Sequence, residues 1–239
     1  MEFKPAIAGK KKYDSYYVDG RDDAWRRLCA TTKADNIVSL CSEIPHDRII
    51  EIGCGNGAIL EELDQRQFGK SQFGIEISSS GIDQLRSKNL RSLTEARVYD
   101  GQIIPYEDGS FDLAILSHVV EHLEHPRAVL HEARRVANHV FVEVPLEHTW
   151  RLKRDFDFNE IGHINFYTST TIRRLLQTSG LKVIKQILTD TSREMLEFQK
   201  GRKGILQHLA RRTSLLFIPR LAQNVFVYHS ALLAEPVDA

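Results

Sequence analysis

A short β-branched run, Arg48-Ile49-Ile50-Glu51-Ile52, ends in Gly53-Cys54-Gly55-Asn56-Gly57, and residues 58–63 then follow a helical pattern. Strand, glycine turn and helix in that order constrain this chain more than any other feature. Glycine reaches positive φ at little cost and lets a ligand approach the backbone closely. The rhythm continues downstream. Residues 72–77 form a second strand-like run, followed by serines that can cap a helix to about Lys88. Residues 96–99, 111–116 and 139–144 read as further strands, the last stopped by Pro145. Helical patterns cover 127–136 and 168–178, with Gly180 at a helix-ending position. Residues 181–188 and 224–233 supply two final strands. Alternation at these intervals predicts an α/β fold, a mostly parallel sheet with helices on both faces.

The 239 residues are read as one domain. Residues 1–45 are expected to form an N-terminal arm and helical lid, with Trp25, Leu28, Cys29, Ile37, Val38 and Leu40 near helical spacing. Residues 46–188 form the core, interrupted by an insertion over 146–167. Residues 189–222 make a helical insertion, and 223–239 the last strand and tail. The 32 basic and 32 acidic residues cancel, so no global field draws the chain to nucleic acid or anionic lipid. Three cysteines at irregular spacing form neither a CxxC pair nor a zinc pattern, which points to reduced thiols in the cytoplasm. There is no leader-like apolar segment and no run long enough to span a membrane. Residues 201–221 interleave Arg202, Lys203, Arg211, Arg212 and Arg220 with leucines; a helical cap over the sheet edge is preferred to membrane contact.

An acidic residue, Glu76, ends the second strand roughly twenty residues after the glycine turn, where a carboxylate can accept from ribose hydroxyls. A nucleoside-containing ligand at the C-terminal edge of the sheet is therefore expected. The glycine spacing alone, with Ala58 in the third position, also satisfies a dinucleotide fingerprint. A nicotinamide oxidoreductase and a non-catalytic cofactor-binding module thus stand as alternatives.

The blocks that follow narrow the choice. Glu51 to Gly57 resembles the first motif of the class I S-adenosylmethionine-dependent methyltransferases, in their type 11 and type 23 small-molecule branch. Tyr99-Asp100-Gly101 is similar to the motif after that family's third strand. Residues 105–112 resemble its L-P-F-x-D-x-S-F-D stretch, residues 118–126 its E-H-L-x-x-P segment, and residues 162–168 its H-x-x-F-Y/F-T segment. The blocks stand in family order over residues 48–188. The resemblance implies a Rossmann-like seven-stranded sheet of order 3-2-1-4-5-7-6 with strand 7 antiparallel, S-adenosylmethionine as cofactor and S-adenosylhomocysteine as product. It implies methyl transfer to an O, N or C atom of a small-molecule acceptor, with no nucleic-acid partner, by a monomer or homodimer. Cofactor contacts are expected from Glu51, Gly53, Cys54, Gly55, Gly57, Glu76, Ile77, Asp100, Gly101, Ser117 and His118. A carboxylate at Glu51 opposes a pyrophosphate and favours an ammonium group.

His163, His148 and Glu147 lie in or beside the insertion that faces the acceptor in this family, and each can take a proton. Tyr13, Tyr17, Trp150, Arg154, Phe166 and Tyr167 are candidate acceptor contacts, with Tyr16, Phe156 and Phe158 nearby. His118, Glu121 and His122 spell H-x-x-E-H, an inverted zinc-peptidase pattern. The strand before them makes that context wrong, and no metal is expected.

Overall fold

The computed structural model describes residues 23–154 and 162–237. Helix α1 (Asp23–Cys41) precedes β1 (Arg48–Ile52), α2 (Ala58–Gln65), β2 (Ser71–Glu76), α3 (Ser79–Ser87) and β3 (Leu93–Val98). Then come β4 (Phe111–Ser117), a 3₁₀ turn (Val120–His122), α4 (Pro126–Val136), β5 (Ala137–Pro145), α5 (Ser169–Gln177) and β6 (Leu181–Thr189). Helices α6 (Arg193–Lys200), α7 (Arg202–Phe217) and α8 (Pro219–Val225) lead to β7 (His229–Pro236). The seven strands form one sheet in the order β3-β2-β1-β4-β5-β7-β6, with β7 antiparallel to both neighbours. Fold class and strand order are those expected.

Helices cover both sheet faces, so the central strands are almost continuously apolar. Ile50, Ile52, Ala114, Leu116, Val140 and Val142 share a core with Val129, Leu130 and Ala133 of α4 and Ile172 and Leu176 of α5. The alternate residues Ile49, Leu113, Ile115, Phe141 and Leu233 pack against Ala30, Ala34, Ile37 and Leu40 of α1 and Ile59 and Leu63 of α2. Glu51, Ser117 and Glu143 continue this second set of alternate positions, since successive strand side chains point to opposite faces. They therefore end the α1 side of the sheet at its C-terminal edge.

The structure corrects two expectations. The segment read as a lid is, over Asp23–Cys41, one continuous helix whose apolar stripe is part of the core. Its burial against four strands fixes it in place. The last strand begins at His229 rather than 224, because Pro219 starts a helix that runs to Val225; its missing N–H is no loss at a first helical turn. Tyr13, Tyr16, Tyr17, Phe156 and Phe158 lie outside the described residues. Among the described residues no helix is long and apolar enough to cross a membrane.

Candidate functional site

The turn after β1 is held by the neighbouring strand. The N–H groups of Gly53 and Cys54 both donate to the Ile75 carbonyl, at 2.8 and 3.1 Å. Gly53 and Gly57 each have φ of +74°. A Cβ on Gly53 would lie 2.7 Å from Val119 Cγ2, and one on Gly57 2.3 Å from Leu85 Cδ1. These positions need glycine twice over, for backbone conformation and for space.

Glu76 is buried and closes on this turn. Its Oε2 accepts from the Gly55 N–H at 3.0 Å, and its Oε1 from the N–H groups of Ile77 and Ser78 at 2.8 and 3.1 Å. Asp100, after β3, is exposed; its Oδ1 accepts from the N–H groups of Gln102 and Ile103. Gly101 beside it approaches Ile77, which is half-buried. Glu51 is 2% exposed and its Oε2 has no hydrogen-bond partner. Burial pushes its carboxyl up to about 8; the Lys33 charge opposes that rise and the Glu76 charge adds to it. A buried carboxylate without a partner is costly and is the kind of group a cationic ligand would satisfy.

Beyond β4 the edge turns polar. Ser117 Oγ donates to Glu143 Oε2 at 3.1 Å, and Asn36 Nδ2 donates to Glu143 Oε1 at 2.6 Å. His118 has φ of +57°, a conformation a non-glycine residue rarely holds, with its N–H on the Glu143 carbonyl at 2.8 Å. Its ring lies 5.1 Å from that of His229. The segment after the insertion clamps this turn: the N–H groups of Ile164 and Asn165 both reach the Glu121 carbonyl at 3.0 Å, and Asn165 Nδ2 reaches that of Leu123 at 2.7 Å. The clamp brings His163 to His122, ring centroids 4.7 Å apart. His163 Nδ1 meets Glu147 Oε2 at 2.6 Å. Burial lowers the His163 pKa, but the hydrogen bond and charge of Glu147, with Glu121 behind, outweigh it and leave it raised. Burial lowers that of His118.

The expected residues divide. Glu51, the glycine turn, Glu76, Asp100, Gly101, Ile77, Ser117 and His118 gather along the C-terminal ends of β1, β2, β3 and β4. His163 and Glu147 meet as a pair. Cys54 does not present its side chain; Sγ is buried with Leu60, Ile82 and Leu85. Tyr167 is buried in the main core, which the apolar surroundings of α5 require. Trp150 is 70% exposed, and His148 and Arg154 are exposed too, so these three do not wall a pocket in this structure. Phe166 is half-buried. Sequence reasoning missed Lys33, Asn36 and His229. The Lys33 charge acts on Glu51, His118, Glu121, Glu143, His163 and His229. Its signal was present: Lys33 and Asn36, three apart, interrupt an otherwise small and apolar stripe.

Comparison with known proteins bears on this edge. A family model for a methyltransferase domain matches residues 22–186. An uncharacterised 37.1 kDa protein in transposon TN4556 of Streptomyces fradiae is 34% identical over 95 residues, 38% of this chain and 27% of that one. The chain thus spans about a quarter of that relative. Ajmaline N-methyltransferase of Rauvolfia serpentina is 28% identical over 202 residues, 72% of this chain and 69% of that protein. The crystal structure of a SAM-dependent methyltransferase from Aquifex aeolicus superposes with a TM-score of 0.57, covering 99% of this chain and 100% of that one at 14% identity, a likeness of fold.

Proposed function

The chain belongs to the methyltransferase-domain family, and from that premise we propose that it transfers a methyl group from S-adenosylmethionine to a small-molecule acceptor. The observation that carries the reading is the buried, unpartnered Glu51 carboxylate beside the glycine turn. On releasing its proton to an arriving cation, Glu51 would pair with the ammonium group of S-adenosylmethionine, a partner that the anionic pyrophosphate of a nicotinamide cofactor could not replace.

The residues present fit that cofactor. The glycine turn admits close approach of the methionine portion. Glu76 would take the ribose, exchanging one backbone N–H bond for a hydroxyl, since a carboxylate has about four acceptor sites. Asp100, with Oδ1 committed to its own turn, has Oδ2 for the adenine amino group. Ser117 and His118 line the exit toward the acceptor. Bound there, S-adenosylmethionine supplies a methyl already activated on sulfonium. The chain's task is then alignment and exclusion of water. For an acceptor that arrives protonated, His163 would be the base, its Nδ1 held by Glu147 so that Nε2 carries the lone pair. The N-methyltransferase relative supports a nucleophilic heteroatom as acceptor.

Incubation with isotopically labelled S-adenosylmethionine and a small-metabolite extract tests the reading. A new labelled small molecule detected by mass spectrometry, absent with heat-denatured protein, is expected. Binding of S-adenosylhomocysteine with no labelled product from any extract would favour a non-catalytic binding module instead.

A further inference from the structure

We propose that Glu121, His122 and His163 bind one divalent transition-metal ion on the acceptor side of the crevice. The H-x-x-E-H pattern places Glu121 and His122 side by side but does not reveal this set, because the third donor stands some forty residues away. The structure brings together one donor atom from each, all within 4.8 Å of one another. An ion with bonds of about 2.1 Å separates its donors by at most about 4.2 Å, so a closure of about 0.6 Å completes the contact.

Glu121 is the second observation. It is fully buried, and neither carboxylate oxygen has a hydrogen-bond partner. His118 Nδ1 lies 3.3 Å from Oε1 but outside hydrogen-bond geometry. A carboxylate so placed calls for a cation. The histidines are oriented to supply the rest. His163 Nδ1 is fixed by Glu147 Oε2 at 2.6 Å, and His122 Nδ1 lies 3.2 Å from the Gly162 carbonyl. In the tautomers that donate along these contacts, each Nε2 carries the lone pair. Metal-ligating histidines are held in this way, by a carboxylate or a carbonyl on the far nitrogen. The backbone clamp from Ile164 and Asn165 to Glu121 joins the two ligand-bearing segments directly.

Two imidazoles and one carboxylate suit Zn²⁺, Co²⁺, Fe²⁺ or Mn²⁺ better than Ca²⁺ or Mg²⁺, which favour oxygen donors throughout. The Lys33 charge acts against an ion here, and the Glu147 and Glu121 carboxyls beside the histidines act for it. Three protein ligands leave positions open for an oxygen atom of the acceptor. Only this use of the ion rests on the methyl-transfer reading. Since one Nε2 cannot both hold an ion and take a proton, the ion would replace His163 as the group that activates the acceptor.

The test is titration of chelator-treated, desalted full-length chain with Co²⁺, followed by visible ligand-field absorption and elemental analysis. One Co²⁺ per chain is expected, displaced by Zn²⁺ and not by Ca²⁺. Glu121→Gln and His163→Ala should each weaken binding a hundredfold or more. Glu147→Gln, changing a partly exposed residue that only orients His163, should weaken it about 10–100-fold. Far-UV circular dichroism and S-adenosylhomocysteine binding check that each variant is folded, and Glu147→Gln carries the test if the buried variants are not. The proposal is overturned if the wild type takes up neither Co²⁺ nor Zn²⁺ at one per chain, or if folded variants bind as tightly as wild type. Loss of cofactor binding with Co²⁺ uptake intact would count against methyl transfer and support the ion site.

Discussion

Replacing Glu51 by Gln separates what this residue costs the empty protein from what it contributes to the cofactor. Burial raises the Glu51 carboxyl from the ordinary 4.5 to about 8, with Lys33 opposing and Glu76 reinforcing the rise. The folded state therefore holds this proton more tightly than the unfolded chain. Its stabilising effect is complete below pH 4.5 and is lost as pH climbs toward 8. At about 1.4 kcal/mol per pH unit, the loss reaches about 3 kcal/mol at pH 7. Glu51→Gln removes that penalty. Allowing for an amide that is itself buried and poorly satisfied, it should stabilise the cofactor-free protein at pH 7 by about 1–3 kcal/mol, a rise of several degrees in Tm. The same change should weaken cofactor binding. An ammonium group beside Glu51 draws its carboxyl back toward the ordinary range, so binding must release the proton that is about 90% present at pH 7. Calorimetry with S-adenosylhomocysteine in two buffers of different ionisation enthalpy should report about 0.9 proton released per molecule bound at pH 7. Affinity should rise about tenfold from pH 6 to pH 7. Glu51→Gln should abolish both effects. Wild-type binding without proton release and with flat pH dependence, or a variant that keeps the slope, would refute the reasoning.

Gly57→Ala sets a Cβ 2.3 Å from the buried Leu85 Cδ1 at a φ of +74°; a loss of about 2–4 kcal/mol is expected, and an unchanged urea midpoint would contradict it. Arg211 is buried, with Nε on Asp190 Oδ1 at 2.7 Å and its guanidinium 4.9 Å from the Tyr228 ring centroid, while the Tyr228 hydroxyl donates to the Arg211 carbonyl. Arg211→Ala should cost about 3–5 kcal/mol by stranding Asp190, with hydrogen exchange quickening first in α7 and α8; uniform exchange across the sheet would count against that role. Burial pushes the Cys29 thiol up to about 11 and Cys41 up to about 12, and raises Cys54 as well. Native protein at pH 8 should therefore react slowly with a disulfide reagent and yield three thiols on denaturation; three fast thiols in the native state would show these sites to be open.

The β1–turn–α2 unit was legible because strand run, glycines and helix start coincide within sixteen residues, and each demands the next. Burial on both faces made the central strands readable as apolar runs. Helix α1 was harder: an amphipathic stripe says that one side is covered, not by what, so Ala30, Ala34 and Ile37 fit a lid and a core helix equally. Residues 224–228 look like the start of a strand by composition, but Pro219 had already committed the preceding residues to a helix. Along the C-terminal edge of the sheet, local spacing was enough to bring Glu51, Glu76 and Asp100 near one another, because each lies at or within two residues of the end of a strand. It could not show that Glu76 folds back onto Gly55, or that Cys54 turns its sulfur into the core. The histidine cluster was the least readable part. His122 and His163 meet only because Asn165 and Ile164 bind the turn at Glu121, a long-range contact with no periodic signature. Lys33 reached the site through the packing of α1, and His229 through strand order, so neither stood near any motif.

Equilibrium titration of the full chain with S-adenosylhomocysteine and, separately, with NADH and NADPH tests the central claim most directly. One S-adenosylhomocysteine per chain is predicted, weakened by Glu51→Gln, with no saturable binding of either nicotinamide cofactor. A folded chain that binds NADH or NADPH and ignores S-adenosylhomocysteine would contradict the account at its root.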